Sequence, residues 1–160
     1  MSAAVRIRPA GLDDAPAIAR LAGELGYPST EEEIRERLCI LLAGERHLVA
    51  AAVAGGEVVG WIAAEERLSL DAGERAELTG LVVGAAARRA GVGRALVAQA
   101  ERWAAARGLG LVTVRSNAAR LESHPFYERL GYVRSKTQHY YRKSLPGALV
   151  AREERCPNLP

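Results

Sequence analysis

The chain has 160 residues, 49% of them hydrophobic and 26% charged, with a net charge of +3. That length and balance suit a single soluble domain that buries its own core, and they exclude wholesale disorder. No apolar run approaches the roughly 18–20 residues a membrane helix needs, and the N-terminus MSAAVRIRPAGLDD lacks the apolar stretch of a signal peptide. Two cysteines, Cys39 and Cys156, lie far apart without a CxxC or Cys/His spacing. Neither a disulfide framework nor a zinc site is therefore expected, and a reduced, cytoplasmic protein is. Twenty arginines and two lysines, Lys136 and Lys143, are dispersed among acids with no basic block and no interleaved aromatics. A nucleic-acid surface is not indicated.

Along the chain, Val5–Arg8 alternates apolar and polar residues, a short strand ended by Pro9. Asp13 or Asp14 caps a helix whose buried face is Ile18, Leu21, Ala22 and Leu25, and Gly26 ends it. Thr30 and Glu33 have capping-box spacing before a second helix, with Ile34, Leu38, Leu41 and Leu42 as its buried stripe and Gly44 as its stop. His47–Val53 and Glu57–Glu65 read as a hairpin joined by Gly55-Gly56. A polar loop near Asp71 leads to a strand over about Arg75–Val83. The longest helix spans Gly91–Arg107 with Val92, Leu96, Ala100, Trp103 and Ala104 on one side, followed by a strand over Leu109–Val114. Ala118–Leu130 reads as helical, divided at Pro125 with Ser123 capping the second part. The last strands are expected within Tyr132–Lys143. The order β-α-α-β-β-β-α-β-α-β gives one α+β domain over residues 1–145, then a Pro-, Gly- and charge-rich tail over 146–160.

The informative stretch is Glu77–Leu96, ELTGLVVGAAARRAGVGRAL: a strand, a loop, and a helix opened by Gly91 and Gly93. Unpaired first-turn amides and the positive end of the helix dipole form an anion site suited to a pyrophosphate, and Arg88, Arg89 and Arg94 add charge beside it. A P-loop needs GxxxxGK[ST], and no Gly-Lys-Ser/Thr occurs. A dinucleotide fingerprint needs a small residue where Leu96 stands. The pattern [Q/R]xxGx[G/A] is matched in full by Arg88-Arg89-Ala90-Gly91-Val92-Gly93.

On that loop, the strand Leu81-Val82-Val83 before it and the later Phe126-Tyr127-Glu128-Arg129-Leu130-Gly131-Tyr132, the chain resembles the GNAT superfamily of acetyl-CoA-dependent N-acetyltransferases from Val5 to about Lys143. The resemblance implies a mixed, mostly antiparallel central sheet flanked by helices, with two central strands splayed around acetyl-CoA and no metal. It assigns the pantetheine arm to backbone groups of Leu81, Val82 and Val83, and the pyrophosphate to Arg88, Arg89, Gly91, Val92, Gly93, Arg94 and Ala95. A backbone N–H within Leu81–Val83 polarises the thioester carbonyl, and Tyr127 protonates the departing thiolate. Asn117 stands where many members keep an Asn near the CoA arm; a turn or cap residue is the alternative.

An alkyl amine with a pKa of roughly 10.4 must lose a proton before it attacks, so a base or a water chain is needed. Glu77 stands where the histone-acetylating branch keeps its glutamate, and alternation puts it on one face with Thr79, Leu81 and Val83; a solvent-facing strand glutamate is the other reading. Glu24 and Tyr27 between the first two helices and Trp61 on the hairpin are candidates for lining the acceptor cleft. His47, His124 and His139 have no companion at metal-ligand spacing. The expected activity is direct acetyl transfer from acetyl-CoA to a primary amine of a small molecule or peptide, without a covalent acyl-enzyme, because no well-placed Cys or Ser nucleophile is evident. A non-catalytic acyl-CoA-binding regulatory module on the same fold is the alternative. Homodimers are frequent among such folds, and neither nucleic acid nor membrane is expected as a partner.

Overall fold

The computed structural model describes residues 3–146. Its chain forms two compact units, Met1–Val114 and Arg115–Pro160.

The first unit is a five-stranded sheet in the order β1-β2-β3-β4-β5: Arg6–Pro9, His47–Ala54, Glu57–Ser69, Gly73–Val83 and Val112–Val114. Four strands run antiparallel and β5 joins β4 in parallel, the mixed sheet expected. β1 ends at Pro9 as read, and Pro9 is its last paired residue, opposite Ala50. A proline is tolerated there because β1 is an edge strand.

Helices α1 (Ala15–Glu24) and α2 (Glu31–Ala43) lie over one face of the sheet, where Ala10, Ala15, Ile18, Leu38 and Val49 form a buried cluster joined by Trp61 and Ala63. Helix α3 (Val92–Ala106) lies over the other, its Val92 and Leu96 seated beside Gly60 of β3. Asp14 does not cap α1 with its side chain. Its carboxylate instead accepts from the Gly11 N–H and takes both terminal nitrogens of Arg8, at 2.7 and 2.8 Å. The Thr30–Glu33 capping box forms in both directions. Of the α2 stripe Leu38 is buried, whereas Leu42 is 41% exposed and falls outside it. Cys39 lies on α2, and Cys156 lies outside the described residues.

The hairpin turns at Gly55 and Gly56, both at positive φ as a tight turn needs. β3 runs on to Ser69 and pairs with β4 down to Gly73, so these strands form a longer hairpin than their apolar runs suggest. β5 is only the last three residues of the predicted strand.

The second unit holds helix α4 (Ser123–Arg129), whose first residue is Ser123; Glu122, rather than Ser123, occupies the cap position. Residues 118–119 and 121–122 form turns, not the first half of a divided helix. The strands expected within Tyr132–Lys143 are not formed among the described residues. Val133, Tyr140 and Tyr141 are each at least 80% exposed there, so the segment buries no apolar face to fix a strand register. The 146–160 tail is outside the described residues except for Pro146.

Candidate acyl-donor site and acceptor face

The site begins with an irregularity in β4. Ala63 pairs with Gly80 and Ala64 with Leu78, so Thr79 has no counterpart on β3 and forms a bulge. The parallel ladder with β5 stops at Leu78↔Val114, and Thr79–Val83 continue with β3 alone as ladder neighbour. This is the splay between the central strands. The Gly84 N–H bonds the Val59 carbonyl. In an antiparallel ladder the next bonded pair is then Val82 with Trp61, which turns the backbone groups of Leu81 and Val83 to the open side. Arg88 Nε meets the Val83 carbonyl there at 3.4 Å.

The bulge also corrects a face assignment. Beyond it, alternation restarts one residue late. Glu77 therefore shares its face with Gly80 and Val82 rather than with Thr79, Leu81 and Val83, and that face also carries Trp61, Ala63 and Glu65 of β3. It is the face covered by α1 and α2. The Trp61 ring lies across Gly80 so closely that a Cβ there would come within 2.6 Å of it. The indole Nε1 is buried with no acceptor among the described residues. Glu77 is 6% exposed, and its Oε2 lies 2.6 Å from Arg67 Nη1.

After β4 comes a short 3-10 turn, Ala85–Ala87, then the loop to α3. Arg89 adopts φ +65° and Gly91 φ +77°, a left-handed path that aims the following backbone into the helix. The first helical bond of α3 runs from the Ala95 N–H to the Gly91 carbonyl, so the N–H groups of Val92, Gly93 and Arg94 have no acceptor inside the helix. Gly91 at the cap position has no side chain to occupy them. Arg88 and Arg89 precede this end in the chain, and Arg94 lies in the first turn of the helix. The arrangement presents peptide dipoles and positive charge at one point, a fit for a diphosphate.

Glu24 accepts from the Ala85 N–H at 3.3 Å, so it contacts the start of this loop. Tyr27 is 56% exposed beyond the end of α1.

In the second unit, Tyr127 sits mid-α4, edge-on to Phe126 at 5.0 Å and to Tyr132 at 5.7 Å. Burial pushes its phenol above the ordinary tyrosine range. Asn117 uses Oδ1 in a local turn, accepting from the Ala119 N–H at 2.9 Å. His124 lies 3.3 Å from the Asn117 carbonyl and 3.4 Å from Arg134.

The residues that sequence reasoning missed are Arg67, Thr79 and Gly80. A lone glycine inside a strand pattern is a bulge signal, and Gly80 carried it. Arg67 had no signal, because its partner is set by register alone. Among the described residues no group of three His, Cys, Asp or Glu is placed to hold a metal ion, and no helix is long and apolar enough to cross a membrane.

Residues 16–132 match the profile of the Acetyltransferase (GNAT) family. No curated protein matches the chain. Among solved structures, a transcriptional regulator from Bacillus halodurans is 25% identical with a TM-score of 0.79, over 88% of this chain and 100% of its own. An aminoglycoside antibiotic 6'-N-acetyltransferase, AAC(6')-IG from Acinetobacter haemolyticus, is 24% identical with a TM-score of 0.77, over 88% and 99%. AAC(6')-Iy in complex with the bisubstrate analogue CoA-S-monomethyl-acetylneamine is 20% identical with a TM-score of 0.79, over 89% and 99%. The last two likenesses are of fold.

Proposed function

The chain belongs to the GNAT acetyltransferase family, and on that premise we propose that it transfers the acetyl group of acetyl-CoA directly to a primary amine of a small molecule or peptide. The observation that carries the reading is the open side of β4 running into the unfilled amides of α3, a backbone track and an anion seat in one continuous stretch.

In this reading the diphosphate rests on the N–H groups of Val92, Gly93 and Arg94, with Arg88, Arg89 and Arg94 offsetting its charge and Ala95 closing the first turn. The pantetheine arm pairs with the outward backbone groups of Leu81 and Val83, and Val82 contributes by bonding β3 and holding that side straight. An N–H in this stretch receives the charge that builds on the thioester oxygen as the amine nitrogen bonds to the carbonyl carbon. The carbon–sulfur bond then breaks. Tyr127, a protonated phenol at neutral pH, supplies the proton for the thiolate. The amine gives up its proton to Glu77, directly or through water. Trp61 and Tyr27 line the acceptor side, Glu24 ties that side to the cofactor loop, and Asn117 keeps its amide nitrogen for the CoA arm.

The test is calorimetry with acetyl-CoA, followed by a thiol-release screen over amines. Saturable binding with amine-dependent CoA release is expected; no binding at high micromolar acetyl-CoA rejects the reading. Tyr127→Phe is expected to lower kcat about 100-fold or more while the acetyl-CoA KM stays within about twofold. A variant that loses affinity and keeps turnover removes Tyr127 from the proton transfer.

A further inference from the structure

The β3–β4 ladder sets like charges against each other. Glu65 is the direct partner of Glu77, and Arg67 is the direct partner of Arg75. Side chains directly opposite one another share a face, so two carboxylates confront each other and, one row further along, two guanidiniums do the same. Arg67 relieves the carboxylate pair by reaching diagonally. Its Nη1 lies 2.6 Å from Glu77 Oε2 and its Nε 3.5 Å from Glu65 Oε1. Arg75 turns away and donates to Ser69 Oγ at 2.9 Å.

The two acids are not equivalent. The Glu65 side chain is 31% exposed and is served by water, whereas that of Glu77 is 8% exposed. A carboxylate at that depth is costly without a cation, yet apolar residues in place of such a pair commonly serve a fold as well or better. Stability alone therefore gives no reason to keep the pair at this point of the sheet. Its position does. Glu77 stands two residues before the bulge that opens β4, on the face that carries Gly80, Val82 and the Trp61 indole with its unanswered N–H. Arg67 grips Oε2 from the row on the far side of Glu77 from the bulge, toward the turn of the long hairpin.

We infer that Arg67 is a positioning residue for acetyl transfer, fixing the direction of the Glu77 carboxylate beside the splayed half of β4. The inference rests on the acetyltransferase reading above. Arg67 touches neither donor nor acceptor and acts through Glu77, so its effect on turnover disappears once Glu77 is gone.

A double-mutant cycle on the full chain tests this, with acetyl-CoA and the amine that releases most thiol in the screen. Arg67→Gln is expected to lower kcat about tenfold or more with the acetyl-CoA KM within about twofold. Arg67→Lys, which keeps a cation in reach, is expected to recover most of that loss. Glu77→Gln combined with Arg67→Gln is expected to be no slower than Glu77→Gln alone. Should Arg67→Gln not fold, the cycle is run with Arg67→Lys, whose smaller loss must likewise vanish in the Glu77→Gln background. Wild-type kcat in Arg67→Gln or in Glu77→Gln, or losses that multiply in the double variant, overturns the inference while leaving the acetyltransferase reading intact. A wild-type chain that releases no CoA with any amine overturns that reading, and the inference with it.

Discussion

From Ala76 to Leu78, β4 is held on both sides, by β3 and by β5; from Leu81 to Val83 it is held by β3 alone. The residue types hardly differ, since both stretches are mostly apolar and half-buried or deeper. What separates them is the unpaired Thr79, which bends the strand, ends the ladder with β5 and shifts every later side chain to the opposite face. One extra residue thus converts a structural strand into one with backbone polar groups to offer a ligand.

A proline in each half exposes the contrast most sharply. The Ala76 N–H bonds the Leu111 carbonyl on the β5 side, and alternation directs that of Leu78 the same way. Leu78→Pro forfeits this bond and a buried leucine, and is expected to cost about 3 kcal/mol or more and to prevent folding, read by circular dichroism. Val83→Pro loses an N–H on the open side. It is expected to leave a cooperative thermal transition and to weaken acetyl-CoA binding up to about tenfold, the worth of one hydrogen bond. Equal thermal losses in the two variants would erase the distinction.

Two glycines sharpen it at the next level. A methyl at Gly60 meets the Val82 carbonyl at 2.9 Å and Val92 and Leu96 at 3.3 Å, which pushes on the N-terminus of α3. A methyl at Gly80 meets only the Trp61 ring. Both substitutions to alanine are expected to cost about 1–3 kcal/mol by overpacking. Gly60→Ala should raise the acetyl-CoA Kd by calorimetry, and Gly80→Ala should raise the amine KM instead; a common effect on both ligands refutes the division of faces.

The smallest effect lies away from β4 and serves as its control. The Arg8 guanidinium, with the Gly11 N–H, holds the Asp14 carboxyl below the usual carboxylate range. A lowered folded-state pKa adds stability above the unfolded value of about 3.9, and that stability fades as pH falls through the folded value. Arg8→Gln is therefore expected to lower stability at pH 7 by on the order of 1 kcal/mol, with the difference from wild type shrinking below about pH 4 and acetyl-CoA affinity unchanged.

Features encoded within a few residues were legible in the sequence. The Thr30–Glu33 box, the Gly55-Gly56 turn and the helix start at Gly91 each depend on neighbours in the chain, and each formed as read. The face of Glu77 was not, because alternation counts residues and cannot see that Thr79 is skipped by β3. The Arg67–Glu77 pair was hidden for the same reason: ten positions apart, the two meet only through the hairpin register. Tyr132–Lys143 erred the other way. Its residues favour strand locally, but a strand also needs a ladder partner and a covered face, and neither is a property of the segment itself.

The three alanines at the middle of β2 make the sheet unusually thin. Ala50, Ala51 and Ala52 are each no more than 1% exposed and project alternately toward the two helical layers, so the helix pair and the long helix are separated by little more than a peptide plane and a methyl on either side. Ala51 stands directly opposite Trp61, and Ala52 opposite Gly60. Bulk added at the first crowds the indole, and bulk added at the second crowds the seat of α3. A variant library that reshapes either proposed ligand surface will therefore meet its tightest size limit at Ala51 and Ala52, in the middle of β2.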